Sequence, residues 1–256
     1  MRPDPRRNPP GDPDLVVSFR MRPRRPDLQE NTQARLRRVP LFAGLDGAAL
    51  DRLTSLSRVV HVRRKEPLFA EGEPYRGMFV VLSGLVVVYS LSDDGRMLIL
   101  HVCREGDSLA EVPLFEERDA GYPAYARATR DSEILFLPSE QFIPFLKRHP
   151  GIGWEMLRVL AGKIKEMSLQ LEGVTLREVT SRLARYLLRE AEASGAAADD
   201  QPELTLPLAK GSVASYLGTV HETLSRTFAR LIKERIIAVD GPRVTVLDKK
   251  RLKRLV

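Results

Sequence analysis

Gly72, Gly84, Gly95 and Gly106 stand 12, 11 and 11 residues apart. Around and between them run "MFVVLSGLVVVYSL" and "MLILHVC", dense in β-branched and apolar side chains. Short strands interrupted by turn residues at so regular a spacing point to a closed or rolled antiparallel sheet. "SDDGR" at 92–96 is a hairpin turn of the Asp-Gly type. The β-rich stretch, residues 58–138, is therefore expected to form such a sheet inside a first domain spanning residues 39–150.

The period then changes. Leu157, Leu160, Ile164, Met167, Leu171 and Val174 follow one another at alternating steps of 3 and 4, an a/d seam carried by residues 151–177. Charged residues flank it: Arg158, Lys163, Lys165, Glu166 and Glu172. So narrow a seam asks for another helix like itself, and a single chain holds no equal partner, so these six residues are the expected homodimer interface. Residues 178–256 read as a second domain. "TSRLARYLLREAEA" (180–193) is an amphipathic helix, 194–203 a connection and "LTLPL" a short strand. "AKGSVASYLG" is a helix ending at Gly218, and the next helix begins after Thr219, a plausible N-cap. Two β runs around Asp240-Gly241 form a hairpin. Helix, short glycine turn, helix, hairpin is the pattern of a winged helix-turn-helix. The expected fold class is thus α+β: an N-terminal antiparallel β-roll, a long dimerisation helix and a C-terminal winged helix-turn-helix.

A chain of 256 residues is long enough for two such domains. Residues 1–38 read as a disordered tail rich in Arg and Pro. No apolar run is long enough to span a bilayer, so no membrane is expected, and no secretory signal is visible. The single cysteine, Cys103, excludes an internal disulfide and an iron–sulfur cluster and fits the cytoplasm. No cluster with metal-ligand spacing is present. The net charge of +7 is concentrated: residues 204–256 carry eleven basic side chains against four acidic ones. A basic folded module points to a polyanion as partner, against the alternative that the charge serves solubility alone.

"HETLSR", residues 221–226, opens the second helix of that module. Leu224, Thr227, Phe228 and Leu231 fall at i, i+3, i+4 and i+7 and face the core. His221, Glu222, Ser225 and Arg226 then face outward in the first two turns, the part of a helix-turn-helix that enters the major groove. Arg226 is suited to guanine O6 and N7, and Glu222 to accept from cytosine N4. Ser225 is within reach of a base or a phosphate, and Glu222 orients Arg226 through an i,i+4 pair. Lys210, Ser212, Thr219 and Arg243 flank this face as expected contacts to the DNA backbone. There is no H-E-x-x-H, no P-loop and no G-x-S-x-G, so no enzyme is expected.

With "FAEGEPYRGMFVVLSGLVVVY", "GDSLAEVPLFEE" and "VASYLGTVHETLSRTFARLIKERII" in this order, the chain resembles the CRP/FNR family of bacterial transcription regulators over residues 39–250. The family's FNR branch carries E-x-x-S-R in its recognition helix, which Glu222, Ser225 and Arg226 match; the resemblance implies a TTGAT-like palindrome and RNA polymerase as a further partner. "YPAYA" and "VDGPRVTVLDKKRL" are most similar to the Dnr-type branch, which responds to nitric oxide and denitrification and some of whose members bind haem. The effector pocket implied by the resemblance includes Glu111, Tyr122 and Pro123. Cyclic AMP binders place an Arg-Ser pair where this chain has Tyr122-Pro123, and a Gly where it has Ala110, so no cyclic AMP is expected. Haem stays open, with His61, His101 and His149 as candidate ligands. Two alternative readings also stay open: a small-molecule-binding β-roll whose winged helix binds a protein, and a haem-based gas-binding protein.

Overall fold

The computed structural model describes residues 27–116, 121–176 and 178–256, with side chains from Thr32 onward and excluding those of 169–176 and Ala197. Most of the expected Arg/Pro-rich tail, residues 1–26, lies outside the described residues. Its last part is the helix α1 (Asp27–Leu36), which with α2 (Gly47–Leu56) packs beneath the first domain and seats Leu36 and Leu50 fully buried. Asp46 caps α2, its carboxylate accepting from the Ala49 amide at 2.7 Å.

Two four-stranded antiparallel sheets make the roll. In one, β1 (Arg58–Val62), β8 (Ser132–Pro138), β3 (Gly77–Ser83) and β6 (Ser108–Leu109) lie in that order. In the other the order is β2 (Pro67–Phe69), β7 (Tyr125–Ala128), β4 (Val86–Leu91) and β5 (Met97–Cys103). The period of two sorts the side chains of β3 to two cores. Phe79 and Val81 point into the roll with Phe69, Val86, Cys103 and Phe136. Met78, Val80 and Leu82 point outward onto α1, α2, α3 (Ser139–Arg148) and the start of α4 (Pro150–Leu176). All four regularly spaced glycines sit at positive φ between strands. At Gly84 (φ 98°) a Cβ would stand 2.2 Å from the Ser132 hydroxyl oxygen, so the β3–β4 turn tolerates no side chain there.

The second domain begins with α5 (Val179–Ala193), followed by β9 (Glu203–Thr205), α6 (Lys210–Tyr216), α7 (His221–Lys233), the hairpin β10 (Ile237–Asp240) and β11 (Arg243–Val246), and α8 (Lys249–Arg254). The three strands form one small sheet in the order β10-β11-β9, the wing. Pro207, which has no N–H, lies just beyond the short β9. The hairpin closes through Gly241 and Pro242, with Gly241 at φ 57°. One apolar cluster joins this domain to the roll: Leu85, Val87 and Ile99, from the outer face of the second sheet, are continuous with Leu183, Leu187, Val213, Ala214 and Leu217. Helix α6 thus packs directly on β5.

Candidate nucleic-acid interface

Helix α7 is strongly two-sided. Leu224, Thr227, Phe228 and Leu231 are buried, while His221, Glu222, Ser225 and Arg226 are exposed. Helical periodicity is enough to produce this split, because the wing and α5 cover one stripe and leave the other to water. Glu222 and Arg226 are 74% and 76% exposed, and the guanidinium donates to the carboxylate across one turn. In water such a pair is worth only about 0.3–0.5 kcal/mol. Its stronger effect is on direction: the arginine fork is already aimed along the outer face of the helix.

The turn before α7 is held from both sides. Gly218, at φ 62°, ends α6; the Thr219 amide returns to Ala214 O at 3.0 Å and the Gly218 amide to Ser215 O at 3.4 Å. This is a Schellman closure. It corrects the expectation for Thr219: the N-cap of α7 is Val220, and the Thr219 N–H is spent in closing α6. Arg182, on α5, donates to Leu217 O and Gly218 O and clamps the same turn. Arg230 donates to the Thr180 hydroxyl and ties the far end of α7 to α5.

The other candidate contact residues lie around this face. A Cβ on Gly211 would come within 3.9 Å of the His221 ring, so the N-termini of α6 and α7 are adjacent. Lys210 is exposed at that point, with its ammonium 5.5 Å from the centre of the Phe228 ring. Ser212 and Thr219 are half-buried. Arg243 is exposed on the wing but shared with Asp240 at 3.5 Å and Glu203 at 4.0 Å.

On α4, Leu157 and Ile164 are 60% and 64% exposed and Met167 is also exposed, whereas Leu160 is half-buried. The side chains of Leu171 and Val174 lie outside the described residues. Trp154, which the seam pattern did not include, is exposed on the same stripe one turn earlier. Its spacing of three before Leu157 was the available signal.

Inside the roll, Tyr122 is buried and stacked on Phe69 with ring centres 4.1 Å apart; Tyr75 meets it edge-on at 5.2 Å. The Tyr122 hydroxyl donates to Gly77 O at 3.0 Å, and burial pushes its pKa up to about 12. The Tyr75 hydroxyl donates to the carbonyl of Ala110, a residue at φ 62°. Pro123 is exposed. Glu111 is buried and paired with Lys163 at 2.7 Å. Of the three residues placed in an effector pocket, then, one faces solvent and two are engaged by other side chains.

The histidines do not converge. His61 sits on β1 beside Glu133 at 3.4 Å, His149 lies tilted against Phe145 with ring centres 4.3 Å apart, and His101 lies on β5 within electrostatic reach of Lys163 and Glu166. Burial, and then the Lys163 ammonium, hold the pKa of His101 below its ordinary value. Each ring stands on a different element and beside a different neighbour. Cys103 is buried in the roll, and desolvation pushes its thiol up to about 12, away from thiolate chemistry. Among the described residues no group of three or more His, Cys, Asp or Glu side chains is placed to hold a metal. None of their helices is long and apolar enough to cross a membrane.

A β-roll joined by one long helix to a winged helix-turn-helix defines a class: regulators that couple a sensing module to a DNA-binding one. Two family profiles divide this chain accordingly. The "Cyclic nucleotide-binding domain" matches residues 59–149, and the "Crp-like helix-turn-helix domain" matches residues 181–255. The chain belongs to the CRP/FNR family of transcription regulators. It is 27% identical over 221 residues to a "CRP-like cAMP-activated global transcriptional regulator" of Mycobacterium tuberculosis, covering 86% of this chain and 97% of that one. It is 24% identical over 208 residues to the "Fumarate and nitrate reduction regulatory protein" of Escherichia coli, covering 80% and 82%. Among solved structures, FixK2 from Bradyrhizobium japonicum superposes with a TM-score of 0.67 at 21% identity, over 78% of this chain and 96% of that one. A CooA mutant from Carboxydothermus hydrogenoformans gives 0.68 at 22% identity, over 82% and 90%. At these identities the two superpositions bear on the fold alone. The relatives are regulators rather than enzymes.

Proposed function

We propose that this protein is a homodimeric, sequence-specific regulator that binds a palindrome with TTGAT-like arms. Arg226 reads the guanine, Glu222 the cytosine paired with it, and Ser225 an adjacent base or phosphate. His221 completes the face, and Lys210, Ser212, Thr219 and Arg243 contact the backbone on either side. The observation that carries this reading is the outer face of α7: Glu222 and Arg226 are both largely exposed and aimed at each other, on a helix whose opposite side is the core of its domain. A carboxylate in the negative field of DNA is unfavourable unless a donor meets it, and cytosine N4 supplies one. The exposed stripe of Leu157, Ile164 and Met167 supports pairing of two copies along α4.

The signal this chain receives is not a cyclic nucleotide. Tyr122 stands where the phosphate clamp of a nucleotide binder is expected, with its ring inside an aromatic stack and its hydroxyl bonded to Gly77. A competition experiment tests the DNA reading. The purified protein should prefer a duplex with two TTGAT arms, about one helical turn apart, over one with the guanine of each arm changed, by about 1–3 kcal/mol per arm. Equal binding to both duplexes would remove the base-reading assignment. Calorimetry with cyclic AMP and cyclic GMP tests the second part; micromolar affinity for either would overturn it.

A further inference from the structure

By sequence Lys163 is one of the charged flanks of the α4 seam. In the fold its side chain turns into the roll. The ammonium donates to Glu111 Oε1 at 2.7 Å and to the backbone carbonyl of Ser108 at 2.8 Å. Glu111 is only 3% exposed, and the same oxygen accepts from the Ser108 hydroxyl. A buried carboxylate oxygen and a carbonyl oxygen aimed at one point offer only acceptors. They suit an ammonium and repel a phosphate. Asp107, Glu166 and His101 lie within electrostatic reach of this point; the Asp107 carboxylate accepts from the Arg104 amide at 2.8 Å.

Glu166 lies three residues on, about 4.5 Å further along the same helix. Its Oε1 accepts from the Tyr216 hydroxyl at 2.8 Å and from the Arg189 guanidinium. Tyr216 is the last residue of α6, immediately before the turn that sets α7. Burial alone would raise Glu166, but the Tyr216 hydroxyl and Arg189 outweigh it and hold the carboxyl below its ordinary range. One turn of α4 therefore has one side chain in the roll and one on the helix-turn-helix.

We infer that the Ser108–Glu111 corner of the roll is a binding site for a primary ammonium, that its ligand is the chain's own Lys163, and that its occupancy seats α6 through Glu166. The roll then holds its long helix without a diffusible effector. A molecule competing for the corner has to be a small cation with at least two N–H donors, as a primary ammonium is, because it must replace a charge and two donated hydrogen bonds.

The test is chemical rescue in the full chain. Lys163→Ala leaves room for n-propylammonium, the part of the side chain removed. The variant should show a lowered melting temperature, and amides 213–216 of α6 should exchange roughly tenfold or more faster, as expected when one partner of a buried pair is lost. Millimolar n-propylammonium chloride should reverse both effects. Sodium chloride at the same ionic strength, and tetramethylammonium, which donates no hydrogen bond, should not. Rescue should disappear in the Lys163→Ala, Glu111→Gln double variant. No rescue, or rescue that survives Glu111→Gln, overturns the ammonium site. Should Lys163→Ala not fold, Lys163→Met keeps the packing stem and lacks the charge. Faster exchange in α6, with β3 amides unchanged, is then expected, and α6 exchange at the wild-type rate overturns the coupling. No readout here uses DNA, so a failed palindrome leaves this inference standing and the reverse is also true.

Discussion

Helices α4 and α7 each leave one stripe uncovered, and the two stripes differ in kind. That of α4 is apolar: Trp154, Leu157, Ile164 and Met167 are exposed within four turns. That of α7 is polar: His221, Glu222, Ser225 and Arg226. Water disfavours the first at about 25 cal/mol for each Å² of apolar surface and leaves the second nearly unaffected. Contiguous exposed apolar surface is uncommon on a finished monomer, so α4 calls for another apolar stripe, and a second copy supplies the same one. An arginine and a carboxylate paired in water gain little from each other, so α7 is ready to exchange that pair for groups on a ligand.

The comparison breaks most sharply at α4. Replacing Ile164 and Met167 together by Asp places four carboxylates in the paired seam of a dimer, each costing several kcal/mol to bury without a partner. Dissociation should strengthen by about a thousandfold or more, and sedimentation should find monomers. An unchanged dimer would show that the stripe is covered by something other than its copy. The folded state of each monomer should survive, because both positions are exposed within the protomer.

On α7 the two faces separate stability from recognition. Leu224→Ala removes a fully buried side chain and should cost about 2–5 kcal/mol of unfolding free energy, read by denaturant melts. Arg226→Ala should leave those melts nearly unchanged. It should instead cost about 1–3 kcal/mol of binding and relax the choice at one G·C pair in each arm. If Arg226→Ala weakens the matched and the altered duplex equally, the guanidinium contacts phosphate.

Much of this was legible in the chain. The glycine intervals marked the turns of the roll because each turn needs positive φ, which a side chain opposes. The 3-4 spacing in α7 separated buried from exposed residues because a helix has only one core-facing stripe. Contacts between distant elements were not legible. Lys163 and Glu166 read as charged flanks of a seam, since nothing local says that β6 and α6 close on them from either side. The resemblance marks Tyr122 only as a departure from an Arg-Ser pair, and only the fold shows its ring stacked on Phe69. Trp154 belongs to the α4 stripe but precedes the regular part of the pattern.

The smallest expected effect concerns the cations around α7, and here the two backbone candidates should differ. Lys210 is exposed beside His221, and the contact it makes, over the Phe228 ring, leaves its ammonium charge uncompensated. Lys210→Gln should weaken binding to all duplexes alike, by well under the cost of losing Arg226, and lower the salt slope of log K by about 1 for each protomer. Arg243 already shares its guanidinium with Asp240 and Glu203. Part of its charge is neutralised before DNA arrives, and a phosphate must compete with two carboxylates. Arg243→Gln should therefore lower the salt slope by less than Lys210→Gln does. Salt titrations of both variants against one duplex decide the order. A larger change for Arg243 would mean that the wing releases its carboxylates on binding, and would place the wing rather than the α6 N-terminus at the main phosphate contact.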